Sequence, residues 1–113
     1  MAVQPPSSRG SPLGVAGFDW DTGNREKCQK HGVSLDAIES VFDRSLAILP
    51  DPAHSVAEER FKAIGKTEDG RFVLIVFMLR QRANQAFIRP ISARYMHRKE
   101  IAYYEKEVAK ANN

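Results

Sequence analysis

Residues 72–79 of the 113-residue chain read Phe-Val-Leu-Ile-Val-Phe-Met-Leu and are apolar without interruption. An apolar run of this length is typical of a strand in the middle of a sheet, covered on both faces. Asp69-Gly70, just before it, favours the tight turn of a β-hairpin. Residues 59–65 alternate polar and apolar side chains, which predicts a half-buried strand. The two segments therefore predict neighbouring antiparallel strands joined by a short turn.

Two further strands flank this hairpin. Residues 46–49 form a short apolar run that ends at Pro50-Asp51-Pro52, and residues 81–85 form a polar turn before a strand over residues 86–94. Pro90 interrupts that last strand, and proline has no N–H for the ladder, so it requires an edge position or a bulge. Sequential strands with short connections predict a four-stranded antiparallel meander.

Helix signals stand at both ends of the predicted sheet. Asp21 or Thr22 can cap a polar helix that runs to about His31, where Gly32 ends it. Ser34 can cap a second helix, and a last helix spans roughly residues 97–110. The apolar positions of the last two recur at helical spacing. They are Leu35, Ile38, Val41 and Phe42, then Ile101, Tyr104, Val108 and Ala111.

The order α-α-β-β-β-β-α predicts an α+β fold with the helices on one face of the sheet. Residues 1–17 are rich in proline, glycine and serine and are expected to form a flexible tail, which leaves residues 18–113 as one domain. No run is long enough to cross a membrane, and the N-terminus lacks the apolar segment of a secretory signal, so a cytoplasmic location is expected. The single Cys28 excludes an internal disulfide.

Charge is distributed unevenly along the chain. Residues 1–57 hold five Lys/Arg and seven Asp/Glu, whereas residues 58–113 hold twelve and seven. A basic half on a mixed domain is compatible with a phosphate-bearing partner, although surface charge also serves solubility. Glycine-rich phosphate loops and metal-binding spacings do not occur, and the three histidines, His31, His54 and His97, are isolated in sequence. Neither a metal nor a cofactor is expected.

Cations from separate segments are candidates for one phosphate-binding surface. Arginine suits this task because its planar fork binds phosphate oxygens in pairs. An exposed tyrosine could stack on a base, and Tyr103 is a candidate, whereas Tyr104 favours core packing. Two structural alternatives remain open: Arg94 could pair with Glu100 or Glu105, and residues 58–60 could form a solvated strand edge. The cations are Arg60 and Lys62, Arg89 and Arg94, and Arg98 and Lys99.

Several short motifs follow one another along residues 18–107. They are Phe18-Asp19-Trp20-Asp21, Lys30-His31-Gly32-Val33-Ser34, Val41-Phe42-Asp43, Pro50-Asp51-Pro52, Glu59-Arg60 with Gly65, and Ile91-Ser92-Ala93-Arg94 followed by Arg98, Glu100 and Tyr104. In their order and spacing, these motifs resemble the BrnT family of toxins.

The resemblance implies a RelE-like fold and a ribonuclease toxin of a type II toxin–antitoxin system. It also implies a partner, a BrnA-like antitoxin with a ribbon-helix-helix DNA-binding part, in a hetero-oligomer that blocks the toxin. Operator DNA would then be reached indirectly, through the antitoxin. RNA is the expected substrate, and no membrane is involved.

The resulting hypothesis is metal-independent RNA cleavage by attack of the 2′-hydroxyl on the adjacent phosphorus. Arg60, Arg89 and Arg94 are the candidates for charge stabilisation. The base remains open among Glu59, Lys30 and His31, and a site that works largely by positioning is an alternative. RNA binding is assigned to Lys62, Arg98, Lys99 and Tyr103. Two rivals remain. A non-catalytic RNA-binding or operon-regulating subunit would use the same basic surface, whereas a purely structural interaction protein would dock a partner through its sheet edge or an exposed helix.

Overall fold

The computed structural model describes residues 14–44, 46–54 and 58–111. Most of the predicted tail, residues 1–13, lies outside them. The helices and strands follow in the order β1 (Gly17–Phe18), α1 (Thr22–Gln29), α2 (Leu35–Phe42), β2 (Leu46–Pro50), a 3-10 turn (Pro52–His54), β3 (Phe61–Lys66), β4 (Phe72–Arg82), β5 (Gln85–Tyr95) and α3 (Arg98–Ala111).

Among the described residues, the sheet has five strands in the order β1-β5-β4-β3-β2, and it is mixed, because β1 pairs parallel and the other strands pair antiparallel. The prediction of a four-stranded, purely antiparallel sheet is therefore wrong in one respect, because β1 pairs parallel to the outer edge of β5. A two-residue strand is too short to show a period of two, so the sequence gives no signal for it. Ala16 also donates its N–H to Ala86 O, and Val15 packs on the core; both residues lie in the segment 1–17 that was predicted as a flexible tail.

Pro90 lies in a β-bulge, as its missing N–H required. The register passes from Val76↔Ser92 to Phe77↔Pro90, which leaves Ile91 without a partner on β4. On the other side of β5, the pairing with β1 ends where Asp19 donates its N–H to Ile88 O. The carbonyl of Pro90 instead accepts from Nδ2 of Asn24, at 3.0 Å. The side chain of Asn24 thus extends the hydrogen bonding along the outer edge of β5 beyond the point where β1 ends.

The two N-terminal helices carry the predicted caps. Asp21 caps α1, and a capping box links it to Asn24, whose Nδ2 also donates to Asp19 O. The hydrogen bond from the Asn24 backbone is the main reason that the pKa of Asp21 is lowered. Ser34 caps α2 by accepting from the Ala37 N–H at 3.1 Å.

The core lies between the sheet and the pair α1 and α2. Phe42 is its aromatic centre, in edge contact with Phe18 and Phe77. The sheet contributes alternate residues of β3, β4 and β5, namely Ala63, Val73, Ile75, Phe77, Ile88 and Ala93. Among the described helices, none combines the length and the hydropathy that a membrane-spanning helix needs.

The prediction that all helices cover one face is wrong for α3. Its Tyr104 packs edge-on against Phe72, at 5.9 Å between centroids, and its Glu100 binds Arg94. Phe72 and Arg94 alternate with the core residues Val73 and Ala93, so they lie on the opposite face. The apolar stripe of α3 therefore meets the other side of the sheet, near one end of it.

Candidate functional site

The candidate site is the sheet face that α1 and α2 leave uncovered, here called the open face. Because successive side chains of a strand point to opposite sides, the residues that alternate with the core line this face. They include an apolar centre on β4 with cations on β3 and β5 beside it. The open face comprises Lys62 and Ile64 of β3, Leu74, Val76 and Met78 of β4, and Arg89, Ser92 and Arg94 of β5.

The strand register places these residues in cross-strand rows. Ile64, Leu74 and Arg94 form one row, and Lys62, Val76 and Ser92 form the next. Met78 is paired with Arg89 in the third row. Neighbouring strands lie about 5 Å apart, so Lys62 and Ser92 flank Val76 within about 10 Å.

Arg60 directly precedes β3, and the alternation of that strand puts it on the same side as Lys62. The structure therefore brings Arg60, Lys62, Arg89 and Arg94 to one face. They are spread along it, because four residues of β4 separate the partners of Arg89 and Arg94, which amounts to about 13 Å.

Arg94 is held by Glu100 in a bidentate ion pair. Its Nη1 donates to Oε1 at 2.8 Å and its Nη2 to Oε2 at 2.7 Å, and Nη1 also reaches Tyr95 O at 3.5 Å. Glu100 accepts the His97 N–H as well, and the two interactions lower its pKa to about 2. Of the two carboxylates that the sequence offered as partners for Arg94, the structure shows the ion pair with Glu100. The Nε–H and one Nη2–H of Arg94 remain for other acceptors.

Arg89 is bound by two carboxylates and is less exposed than Arg94. Its Nη1 lies 3.4 Å from Asp19 Oδ2 and its Nη2 lies 2.9 Å from Asp21 Oδ2, and its side chain is 18% exposed. Arg82 adds a second cation to Asp19, at 3.3 Å. Asp19 and Asp21 were missed as partners, although both stand in the Phe18–Asp21 motif. The parallel strand β1, which has no pattern in the sequence, is what brings them to Arg89.

The residues around the start of β3 form a looser group. Arg60 Nη2 lies 3.6 Å from Glu58 Oε1, and Lys62 Nζ lies 4.0 Å from the buried Asp51 Oδ1. The Lys62 side chain is 40% exposed and Glu59 is also exposed. Lys62 is therefore the open-face cation with the weakest carboxylate contact among those described.

Other predicted residues lie apart from this group. Lys30 and His31 are exposed at the end of α1, an eight-residue helix whose other end meets Arg89, so the length of the helix, about 12 Å, separates them from that contact. Arg98 and Lys99 are exposed in the first turn of α3, and Tyr103 is 67% exposed. The ion pairs and hydrogen bonds described for Lys62 and Arg94 are made with Asp51, Tyr95 and Glu100 and involve none of these five.

A pocket at the end of the open face was not predicted. It has a volume of about 280 Å³ and lies where β3, β4 and α3 meet. Lys66 Nζ stands 5.1 Å from the centroid of the Phe72 ring. The sequence shows Arg44 just after a predicted helix and Lys66 at the end of a predicted strand. It does not show that Tyr104 of α3 packs beside them and completes the pocket. The lining residues are Arg44, Ile64, Gly65, Lys66, Phe72 and Tyr104.

Residues 14–44, 46–54 and 58–111 contain no group of three or more His, Cys, Asp or Glu side chains arranged to hold a metal ion. The model of one protein family, described as a ribonuclease toxin, BrnT, of type II toxin–antitoxin systems, matches residues 20–100. The match runs from the capping residues of α1 to Glu100 and includes Arg60, Lys62, Arg89 and Arg94. No curated protein sequence matches the chain.

Proposed function

This chain belongs to the BrnT family of ribonuclease toxins of type II toxin–antitoxin systems, and on that premise we propose that it cuts RNA on the open face without a metal ion. Cleavage would inhibit growth, and the antitoxin that the family implies would be a BrnA-like protein with a ribbon-helix-helix part. That antitoxin would carry the complex to operator DNA.

The observation that supports this proposal is the set of cations around the apolar strand β4. Lys62 and Arg94 flank Val76 and Leu74 on the same side of the sheet, and no described part of α1 or α2 covers them. Such fixed donors stabilise charge that develops in a transition state, because they need no reorganisation when the reaction occurs. We place Arg94, Arg60 and Lys62 at the scissile phosphate. We place Arg89 at the rim, because its side chain is 18% exposed, against 36% for Arg94, and because it lies four residues further along β4 than Arg94 does.

The proposed reaction is an in-line displacement at phosphorus. The 2′-oxygen forms a bond to phosphorus and loses its proton to solvent or a base, and the bond to the 5′-oxygen breaks. The products are a 2′,3′-cyclic phosphate and a 5′-hydroxyl that takes up a proton. Glu100 keeps the Arg94 guanidinium in one orientation, with its Nε–H and second Nη2–H able to meet the phosphorane oxygens.

Positioning carries more of this mechanism than proton transfer does. Glu59, the nearest predicted base in sequence, is exposed and alternates away from Arg60 and Lys62. Lys30 and His31 lie at the distant end of α1. Holding a 2′-hydroxyl in line with its phosphate can itself supply a large part of the rate acceleration.

The test is cleavage of a defined RNA by the purified full chain in EDTA, with the termini of the products identified. Cyclic phosphate ends and unchanged activity in EDTA would support the proposal. Growth after induction, with and without the antitoxin, tests the toxin role in cells.

A non-catalytic function is the second candidate, because the guanidinium groups of Arg89 and Arg94 both form ion pairs with carboxylates of the protein itself. Salt-sensitive binding of RNA that yields no cleaved product would favour an RNA-binding or operon-regulating subunit over a nuclease.

A further inference from the structure

We propose that the pocket between β3, β4 and α3 binds one nucleotide of the RNA substrate and so anchors the strand beside Arg94; this inference rests on the proposed function. Its lining combines two cations, Arg44 and Lys66, with the rings of Phe72 and Tyr104. Positive groups next to aromatic rings match a nucleotide, which has a flat base and an anionic phosphate.

The cations of the pocket are suited to a phosphate. Arg44 and Lys66 are exposed, and no carboxylate within the described residues forms an ion pair with either. Their situation differs from that of Arg89 and Arg94, whose guanidinium groups are bound by Asp21 and Glu100. A phosphate at the pocket therefore has no internal anion to displace.

The rings supply a place for the base. Lys66 already covers one side of Phe72, at 5.1 Å from the ring centroid. Tyr104 meets Phe72 at an interplanar angle of 68°, so the two rings form a corner. A base that stacks on the ring of Tyr104 would contact Phe72 with its edge and Ile64 below it.

The position of the pocket suits a strand that continues to the cations of the open face. Ile64, which lines the pocket, shares a cross-strand row with Leu74 and Arg94. Two strand spacings separate the β3 and β5 backbones, about 10 Å. The pocket and Arg94 also lie at the two places where α3 contacts the sheet, through Tyr104 and Glu100, so a short single strand that follows α3 out of the pocket would reach Arg94.

The first experiment measures binding without turnover. A fluorescent 2′-O-methyl oligonucleotide, which lacks the nucleophile, is titrated with the full chain. Log K falls as log salt rises, and the double variant Arg44→Ala/Lys66→Ala should make this slope shallower by about 0.7 for each lost contact. The matched control, Arg25→Ala/Lys27→Ala, removes the same charge from exposed positions of α1 and should leave the slope unchanged. Equal slopes for the two double variants would overturn the proposal.

The second experiment tests stacking. Tyr104→Leu removes the ring but keeps an apolar contact with Phe72, and we expect binding about 5- to 150-fold weaker than that of the natural protein. Tyr104→Phe should restore it. In amide spectra, adenosine 5′-monophosphate should shift Gly65, Lys66 and Tyr104 more than ribose 5-phosphate does. Identical shifts with both probes, or shifts there only when antitoxin is added, would overturn nucleotide binding.

These readouts separate the two proposals. A chain that binds these probes at the pocket but never cleaves RNA would refute the nuclease mechanism and leave the pocket assignment standing. A chain that cleaves RNA normally when Arg44, Lys66 and Tyr104 are all replaced would refute the pocket alone.

Discussion

Arg94 on β5 and Glu100 on α3 face each other through two nearly parallel hydrogen bonds of 2.8 and 2.7 Å. The pair joins the last helix to the sheet and fixes a guanidinium at the border of the open face. Glu100 lies at the third position of α3 and accepts the His97 N–H, so one carboxylate both caps the helix and orients the arginine.

Arg94→Ala should reduce kcat for RNA cleavage by roughly 100- to 1,000-fold, as expected when one transition-state donor is lost. The loss should appear in single-turnover rates, with the circular dichroism spectrum unchanged. Arg25→Ala, an exposed arginine on α1, is the matched control and should cleave normally. A rate for Arg94→Ala within twofold of the control would remove Arg94 from the mechanism.

The Arg94–Glu100 pair should make stability depend on acid pH. The folded pKa of Glu100, about 2, lies below its ordinary value of 4.5, so the stabilisation is complete above about pH 4.5 and is lost as the pH falls towards 2. Because about a third of both side chains is exposed, the effect is roughly 1 kcal/mol. Urea unfolding between pH 2 and 6 measures it. Glu100→Gln should flatten this part of the curve, whereas Glu107→Gln should not.

Asn24→Ala should destabilise the protein by about 2 kcal/mol, because it leaves the carbonyl of Pro90 without its side-chain donor and opens the capping box of α1. Asn24→Asp separates these contributions, since a carboxylate can still accept the Asp21 N–H but cannot donate to Pro90 O. Thr22→Ala, at an exposed neighbouring position, is the control. Equal unfolding midpoints for all three variants would contradict this role.

Cys28 should resist thiol reagents in the folded protein at neutral pH. The side chain is fully buried, and that burial raises its pKa to about 11. Absorbance after addition of a disulfide reagent should rise only when guanidinium unfolds the chain. Rapid reaction in native buffer would show that α1 opens far more readily than its packing indicates.

Ala83→Gly should stabilise the β4–β5 hairpin by up to about 1 kcal/mol. Ala83 and Asn84 form its two-residue turn with φ of 51° and 66°, a left-handed region that burdens alanine but suits glycine. Thermal unfolding measures the change. Ala86→Gly, just inside β5, should shift the midpoint downwards instead.

The sequence predicts the local structure where one strong signal acts alone. Ser34 caps α2, the apolar run that begins at Phe72 forms β4, and Pro90 lies in a bulge, each because a residue's own stereochemistry leaves few choices. The turn between β4 and β5 is shorter than the predicted residues 81–85. The polar Gln81 and Arg82 belong to the exposed end of β4, and Gln85 already belongs to β5.

The rest depends on contacts between distant segments. The pairing of Gly17 with Phe87 has no local pattern, and it alone brings Asp19 to Arg89. The placement of α3 on the open face likewise follows from its packing on Phe72 and from the ion pair with Arg94, which the spacing of apolar residues along the helix does not specify.

The last helix has no fully buried residue among its fourteen. Because Tyr104 and Glu100 are its main described contacts with the strands, we expect α3 to open in sub-global fluctuations while the β4–β5 ladder stays closed. We therefore expect amide hydrogens of α3 to exchange with deuterium earlier than those of β4, and each such opening would break the ion pair with Glu100 and free the guanidinium of Arg94 for a new anion.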